Sequence, residues 1–236
     1  MLESVLAVPF WWEMVATITG AISGSLHAVK HDYDMFGVMC LACVTGLAGG
    51  ITRDVLLQSY GIYAFENWEL IVGCIIAALP VFYFGRLIEH FDLQMDIVDM
   101  FSVAMFAIIG AGKGWLAGHA VLPCAILGTI SAVGGGCIRD LLLIREPKIF
   151  QSGTLYASAT FIGALVFLVM RRFDLLYGFA PYIGVFVVIA LRFVSVFFNI
   201  ETHPARDYSD RVIVKVRRMK KWIALKRKNL KRKEKE

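Results

Sequence analysis

Charge is in short supply in this 236-residue sequence: 18% of its residues are Asp, Glu, Lys or Arg, against 58% hydrophobic. Soluble domains are about half apolar and roughly a quarter charged, and mean hydropathy here is +0.67, so a soluble enzyme is excluded. Enzymatic motifs are missing as well. No Gly-Lys-Ser/Thr follows the glycine runs, which excludes a phosphate loop and, for this chain alone, primary pumping. No Gly-x-Ser-x-Gly is present, and His31, His90, His119 and His203 lack metal-ligand spacing. Cys40 and Cys43 form a Cys-x-x-Cys without a second pair or a histidine cluster. All five cysteines sit in apolar stretches and read as small polarizable packing residues. The expectation is a protein that is not an enzyme and holds no cofactor. Residues 1–10 lack a basic n-region and no small-residue cleavage pattern follows, so the first helix is expected to act as an uncleaved insertion signal.

What is present is apolar sequence in lengths that cross a bilayer. Seven segments run near 11–29, 33–52, 67–85, 95–115, 119–138, 153–170 and 178–199. Helices of about 20 apolar residues satisfy their own backbone hydrogen bonds in lipid, whereas barrel strands alternate with period two. The fold class is therefore an all-α multi-pass membrane protein with seven transmembrane helices.

Charge is also divided along the chain. Residues 1–199 carry 10 Lys/Arg and 14 Asp/Glu, a balance of −4, while residues 200–236 carry 14 and 5, a balance of +9. A basic segment from Arg211 to Lys235, soon after the last span, places the C-terminus in the cytoplasm by the positive-inside rule. Seven spans then put the N-terminus outside, although Arg171 and Arg172 run against the bias. Apolar residues such as Val214, Trp222 and Leu225 interleave the tail charges, which suits an interfacial helix on anionic lipid better than nucleic-acid binding.

The most informative feature is an internal repeat. GLAGGITRDVLL at 46–57 and AVGGGCIRDLLL at 132–143 align at an offset of 86, and the offset carried backward pairs Glu13 with Asp99, Met14 with Met100 and Gly24 with Gly110. His27 falls on Lys113. Each unit holds three spans, an odd number, so the units enter the membrane from opposite sides as an inverted repeat, an arrangement that puts the substrate path at the repeat interface. The expected organisation is a first three-helix repeat over 1–92, an inverted second over 93–175, a seventh helix over 176–200, and a basic cytoplasmic tail over 201–236.

In each half two or three glycines precede Arg-Asp at the end of an apolar helix. Grouped glycines mark a kink, a break or a close helix approach, and freed backbone carbonyls can replace part of a cation's hydration shell. Gly49, Gly50, Thr52, Gly134, Gly135 and Gly136 are thus candidates for an ion pathway. Packing alone is the alternative. A leucine at Gly135 is expected to abolish flux and spare assembly. Arg53-Asp54 and Arg139-Asp140 are read as a structural clasp near each membrane face, because an isolated charge at membrane depth costs at least about 2.5 kcal/mol. Glu13 and Asp99 would concentrate cations at an entrance. His27 and Lys113 lie 14 residues further on, roughly 21 Å along a helix, where Lys113 serves as a gate or as the partner of an acid. Helix N-terminal acids and snorkelling cations are the simpler readings of these four. Arg192, inside the last span, needs a partner that the sequence does not name.

These motifs, Gly49-Gly50-Ile51-Thr52-Arg53-Asp54 and Gly134-Gly135-Gly136-Cys137-Ile138-Arg139-Asp140, together with Gly110-Ala111-Gly112-Lys113-Gly114, resemble the prokaryotic branch of the trimeric intracellular cation (TRIC) channel family. That family is also described as a glycine-transporter-like domain present in two copies. The resemblance covers about residues 10–200. It implies a homotrimer whose protomers each hold a pore lined by the first two helices of each repeat, with glycines bending helices two and five, passing K⁺ and Na⁺ passively in the plasma (inner) membrane. One departure is Ala48 before Gly49-Gly50, where three glycines are common. A secondary transporter of a small solute such as glycine is the alternative function, and an assembly protein whose glycines serve only packing is the third.

Overall fold

The structure, a computed structural model, describes residues 9–88, 92–151, 155–176 and 178–198, with side chains for all of these except 86–88 and 92–94. The basic tail, His90 and His203 lie outside the described residues. Among the described residues the chain is helical without strands: α1 (Phe10–Val29), α2 (Met35–Leu57), the one-turn α3 (Tyr63–Glu66), α4 (Glu69–Ile88), α5 (Asp92–Leu116), α6 (Val121–Leu142), α7 (Ala157–Arg172) and α8 (Ala180–Phe197).

Local chemistry sets the helix ends. Asp34 caps α2, its Oδ1 accepting from the Gly37 amide at 2.7 Å. The chain leaves α1 and α5 through Asp32 (φ 56°) and Gly118 (φ 83°), and leaves α2 and α6 through Gln58 (φ 51°) and Ile144 (φ 55°). Each pair is separated by the repeat offset of 86. Gly118 meets the left-handed requirement without steric cost, whereas its partner position uses Asp, one of the few other residues that tolerate it.

Four helices are long and apolar enough to cross a membrane: Met35–Leu57, Met95–Leu116, Val121–Leu142 and Ala180–Phe197. Polarity holds α1 back, since it carries Glu13, Thr17, Thr19, Ser23, Ser25 and His27. Helix α7 has 16 residues, about 24 Å at 1.5 Å per residue, short of a core of about 30 Å. Helix α4 has Pro80 inside it.

The core is in two parts. One joins Trp12 and Ala16 to residues of α5 to α8, including Val103, Phe106, Ile108, Phe167 and Leu168; the other joins α1, α2 and α4 through Ala21, Leu41, Ala42, Leu70 and Cys74. Within each half the first two helices touch at small residues. A Cβ on Gly46 would stand 2.7 Å from the Thr17 carbonyl oxygen, and one on Gly110 would stand 2.8 Å from Ser131 Cβ and 2.9 Å from Gly128 Cα. Helices α1 and α5 run antiparallel, because Glu13 near the start of α1 meets Lys113 near the end of α5 while Ser23 meets Asp99 near the start of α5.

The halves join where α2 crosses α6, and the contact is reciprocal. A Cβ on Gly49 would collide with the Ser131 carbonyl oxygen, and one on Gly135 would collide with that of Thr45. Positions 49 and 135, and 45 and 131, are again 86 apart. Helical structure continues through both glycine runs, so the close approach is realised and the break is not. Backbone-to-backbone proximity gives van der Waals contact that larger side chains would prevent.

This geometry corrects the expectation that a leucine at Gly135 spares assembly, since even a methyl group has no room there. Gly135→Leu and Gly49→Leu should lower the thermal unfolding midpoint of the detergent-solubilised protein and its yield of folded material. The loss is at the upper end of the about 1–3 kcal/mol typical of overpacking, because the opposing atom is backbone. The Gly50→Ala variant, whose Cβ would have only ordinary contacts beginning at 3.7 Å, should melt near the parent. Equal midpoints for Gly135→Leu and the parent would refute the crossing.

Candidate functional site

Two of the largest fully buried side chains are arginines: Arg53 and Arg139 each have 0% relative exposure. A charge so placed needs close counter-charges and hydrogen bonds, and each arginine has them in nearly the same pattern.

At one end of the bundle, Arg53 Nε donates to Asp54 Oδ1 at 2.7 Å and Nη2 donates to Glu13 Oε1 at 2.8 Å. Lys113 reaches over from the second half, with Nζ 2.9 Å from Glu13 Oε2. Its ammonium also stands 3.8 Å from the centroid of the Tyr63 ring and 5.3 Å from that of Tyr60, a favourable cation–π placement. Asp54 accepts from the Tyr60 hydroxyl and the Tyr63 amide, both at 3.1 Å. Burial pushes the Tyr60 phenol above its ordinary value, so it remains protonated as a donor.

At the other end, Arg139 Nε donates to Asp140 Oδ1 at 2.9 Å and Nη1 donates to Asp99 Oδ1 at 3.0 Å. Nη1 also donates to Ser23 Oγ of the first half at 2.9 Å. Asp140 accepts from the Lys148 amide at 3.3 Å, and Asp99 accepts from the Tyr156 hydroxyl at 3.1 Å. Arg192 comes in from α8, with Nη1 3.6 Å from Asp99 Oδ2 and its guanidinium 4.3 Å from the centroid of the Tyr156 ring. Each network holds two carboxylates and two side-chain cations. By formal count of acidic and basic side chains, each network balances.

The sequence-derived candidates thus divide into three places. Glu13, Arg53, Asp54 and Lys113 share one end; Asp99, Arg139 and Asp140 share the other, about 21 Å away along α5 as measured from Asp99 to Lys113. His27 is buried beside the second group, its Nδ1 2.8 Å from the Ser23 carbonyl oxygen. Gly49, Gly134 and Gly135 lie at the crossing between the ends, where a Cβ on Gly134 would be 3.9 Å from Thr52 Oγ1. Thr52 itself donates back to the Ala48 carbonyl at 2.7 Å. Gly50 and Gly136 face their own arginines: a Cβ on Gly50 would stand 3.7 Å from Arg53 Nη2, and one on Gly136 3.6 Å from Arg139 Nη2.

Sequence reasoning missed Ser23, Tyr60, Tyr63, Thr45, Ser131 and Tyr156, and left Arg192 unassigned. Thr45 and Ser131 were within reach, being hydroxyl residues 86 apart in the aligned helices. Tyr156 and Arg192 were not, because no counterpart in the first repeat points to them. Two surface cavities also fall at equivalent places, one of about 470 Å³ at the α5–α6 turn lined by Trp115, His119 and Arg172, the other of about 400 Å³ at the α1–α2 turn lined by Val29, Tyr33 and Phe82.

Removing one partner from such a network strands the other charge. Arg139→Met and Arg53→Met should each cost about 3–5 kcal/mol, read as a fall in the thermal midpoint in detergent. Loss of under 1 kcal/mol from both would mean that the networks do not hold the bundle together.

Comparison with known proteins gives one family and one fold. The Glycine transporter family matches the chain twice, over residues 10–86 and 96–172. The UPF0126 membrane protein of Deinococcus radiodurans is 32% identical over 187 residues, covering 78% of this chain and 86% of its own length. Inner membrane protein YadS of Escherichia coli is 32% identical over 158 residues, covering 66% of this chain and 76% of its own. Among solved structures, a TRIC cation channel analysed for the basis of its conductance superposes with a TM-score of 0.76 at 26% identity, covering 85% of this chain and 98% of that one. The TRIC channel orthologue from Rhodobacter sphaeroides superposes at 0.77 with 23% identity, covering 80% and 97%. The latter likeness speaks for the fold alone.

Proposed function

The chain belongs to the Glycine transporter family, and on that premise we propose that it is a cation channel passing K⁺ and Na⁺ down their gradients. Family and fold are those of membrane transport proteins rather than enzymes. The relatives are membrane proteins, and the apolar helices fit the same setting. All seven long helices span the inner membrane in this proposal, α1 and α7 being sheltered by their neighbours, with the N-terminus outside and the basic tail in the cytoplasm. Residues 1–92 and 93–175 form the inverted halves, 176–200 the seventh helix. The working unit is a homotrimer with anionic lipid at the tail and one pathway per protomer.

The pathway follows the α1–α2–α5–α6 core, from the Lys113 end to the Asp99 end past the glycine crossing. The observation that carries this reading is the buried polar surface along that line. Ser131 Oγ beside the crossing and Arg53 Nη1 are buried and have no hydrogen-bond partner among the described residues. Buried polar atoms are nearly always paired, and water in a passage supplies what the protein does not. The carbonyls of Thr45 and Ser131 pack against the opposing glycines too closely to admit an ion, so the proposed pathway runs beside that contact rather than through it. Arg53-Asp54 and Arg139-Asp140 hold the ends in register, while Glu13 and Asp99, each already bound to cationic side chains, give the entrances polarity without a deep trap for K⁺. The alternative is a slow carrier for a small solute such as glycine on the same inverted frame.

Reconstituted protein should give single-channel steps and K⁺ flux above about 10⁵ ions per second per protomer, the order expected where sites are weak enough to leave quickly. Saturable glycine uptake without conductance would replace the channel with the carrier, and neither activity from a well-folded oligomer would leave an assembly role. The crossing has its own test. Cysteines are placed at Thr52 and Gly134, where a Cβ at 134 would stand 3.9 Å from Thr52 Oγ1, on a background without the five native cysteines. Oxidation should stop the flux and reduction restore it, and unaltered flux after verified cross-linking would take the crossing out of the pathway.

A further inference from the structure

The two charge networks match residue for residue except at one position. Applying the offset of 86, Glu13 corresponds to Asp99, Arg53 to Arg139 and Asp54 to Asp140. Lys113, the second cation of the first network, corresponds to His27. The internal two-fold relation that turns the Lys113–Glu13 contact into its mate therefore makes a pair of His27 and Asp99, and His27 does lie within electrostatic reach of Asp99 and Arg139. Its Nδ1, however, is bound to the Ser23 carbonyl, and no ion pair forms. The missing charge comes from outside the repeat. Arg192 of α8 stands 3.6 Å from Asp99 Oδ2, the oxygen that also accepts from the Tyr156 hydroxyl, and stacks on the Tyr156 ring; Lys113 takes the corresponding place at Glu13, closer at 2.9 Å, and stacks on Tyr63. Arg192 is 4% exposed and Asp99 3%, so neither finds its counter-charge in water.

We infer that Arg192 is a positioning residue standing in for the cation that the first repeat lacks at His27, which makes the seventh helix the part that completes the second network. The inference rests on the channel reading only for its consequence: with Arg192 gone, Asp99 keeps one surplus negative charge at that end and binds a permeating cation too tightly. The other charged group close by, Lys148, is engaged with Asp96 at 2.7 Å and does not replace it. Tyr156 supplies a hydroxyl donor but no charge.

The test is a comparison of four variants in the full-length protein: Arg192→Met, His27→Lys, and Arg192→Met combined with either His27→Lys or His27→Gln. Arg192→Met should lower the thermal midpoint by about 10 °C and reduce K⁺ flux. Adding His27→Lys, which rebuilds the mate of the Lys113–Glu13 pair, should recover most of both losses; adding His27→Gln should recover neither. On the parent background His27→Lys adds a fifth charge and should lower the midpoint, so one substitution acts with opposite sign in the two backgrounds. If Arg192→Met yields no folded protein, recovery of folded protein with His27→Lys and not with His27→Gln supports the inference equally well. Equal behaviour of the two double variants, or a neutral Arg192→Met, would overturn it. If the parent carries no K⁺ flux, the channel reading fails while the midpoints still decide this one.

Discussion

An arginine with no exposed surface inside a bundle of apolar helices is tolerated only where carboxylates meet it, and the described residues hold two of them. Arg53 and Arg139 each bind the aspartate that follows and an acid on the first helix of their own half. That requirement fixes which face α2 turns to α1, and which face α6 turns to α5. It also sets the loops, because Asp54 and Asp140 use their remaining oxygens on the amides of Tyr63 and Lys148, in the segments that follow each helix. Moving charges out of water costs several kcal/mol per ion even after relaxation, so these positions cannot drift without loss of the whole network.

The second constraint is contact without side chains. Helices α2 and α6 approach until the glycines of one face the carbonyls of the other, and the charge networks at the ends hold that contact from both sides. Cross-half contacts of Lys113 with Glu13 and of Arg139 with Ser23 tie the halves at opposite ends of the same crossing.

Much of this was legible in the residues, for reasons that can be named. An offset of 86 survives because equivalent positions in the two halves meet equivalent surroundings: the pairs Asp32/Gly118 and Gln58/Ile144 even share the left-handed backbone, although their side chains differ. Arg-Asp doublets in apolar sequence announce buried charge, since no other setting justifies them there. The legible part stops where the symmetry stops. Arg192 and Tyr156 contribute to one network only, and no pattern within the repeat leads to them. Tyr60 and Tyr63 sit in a connection whose path depends on where Asp54 points. The glycine runs were legible as a place where helices bend, break or approach, but the choice among these belongs to packing.

The sequence by itself determined that the chain is a helical membrane protein with two related halves, because apolar run length and residue offset are one-dimensional properties that any fold of this chain must respect. It also determined which charges would need partners. Only the tertiary structure decided who those partners are: Glu13 with Arg53 and Lys113, Asp99 with Arg139 and Arg192. Pairing across 40 to 100 residues depends on which helix faces meet in three dimensions. That is settled by how closely small residues let backbones approach, a quantity no linear pattern contains.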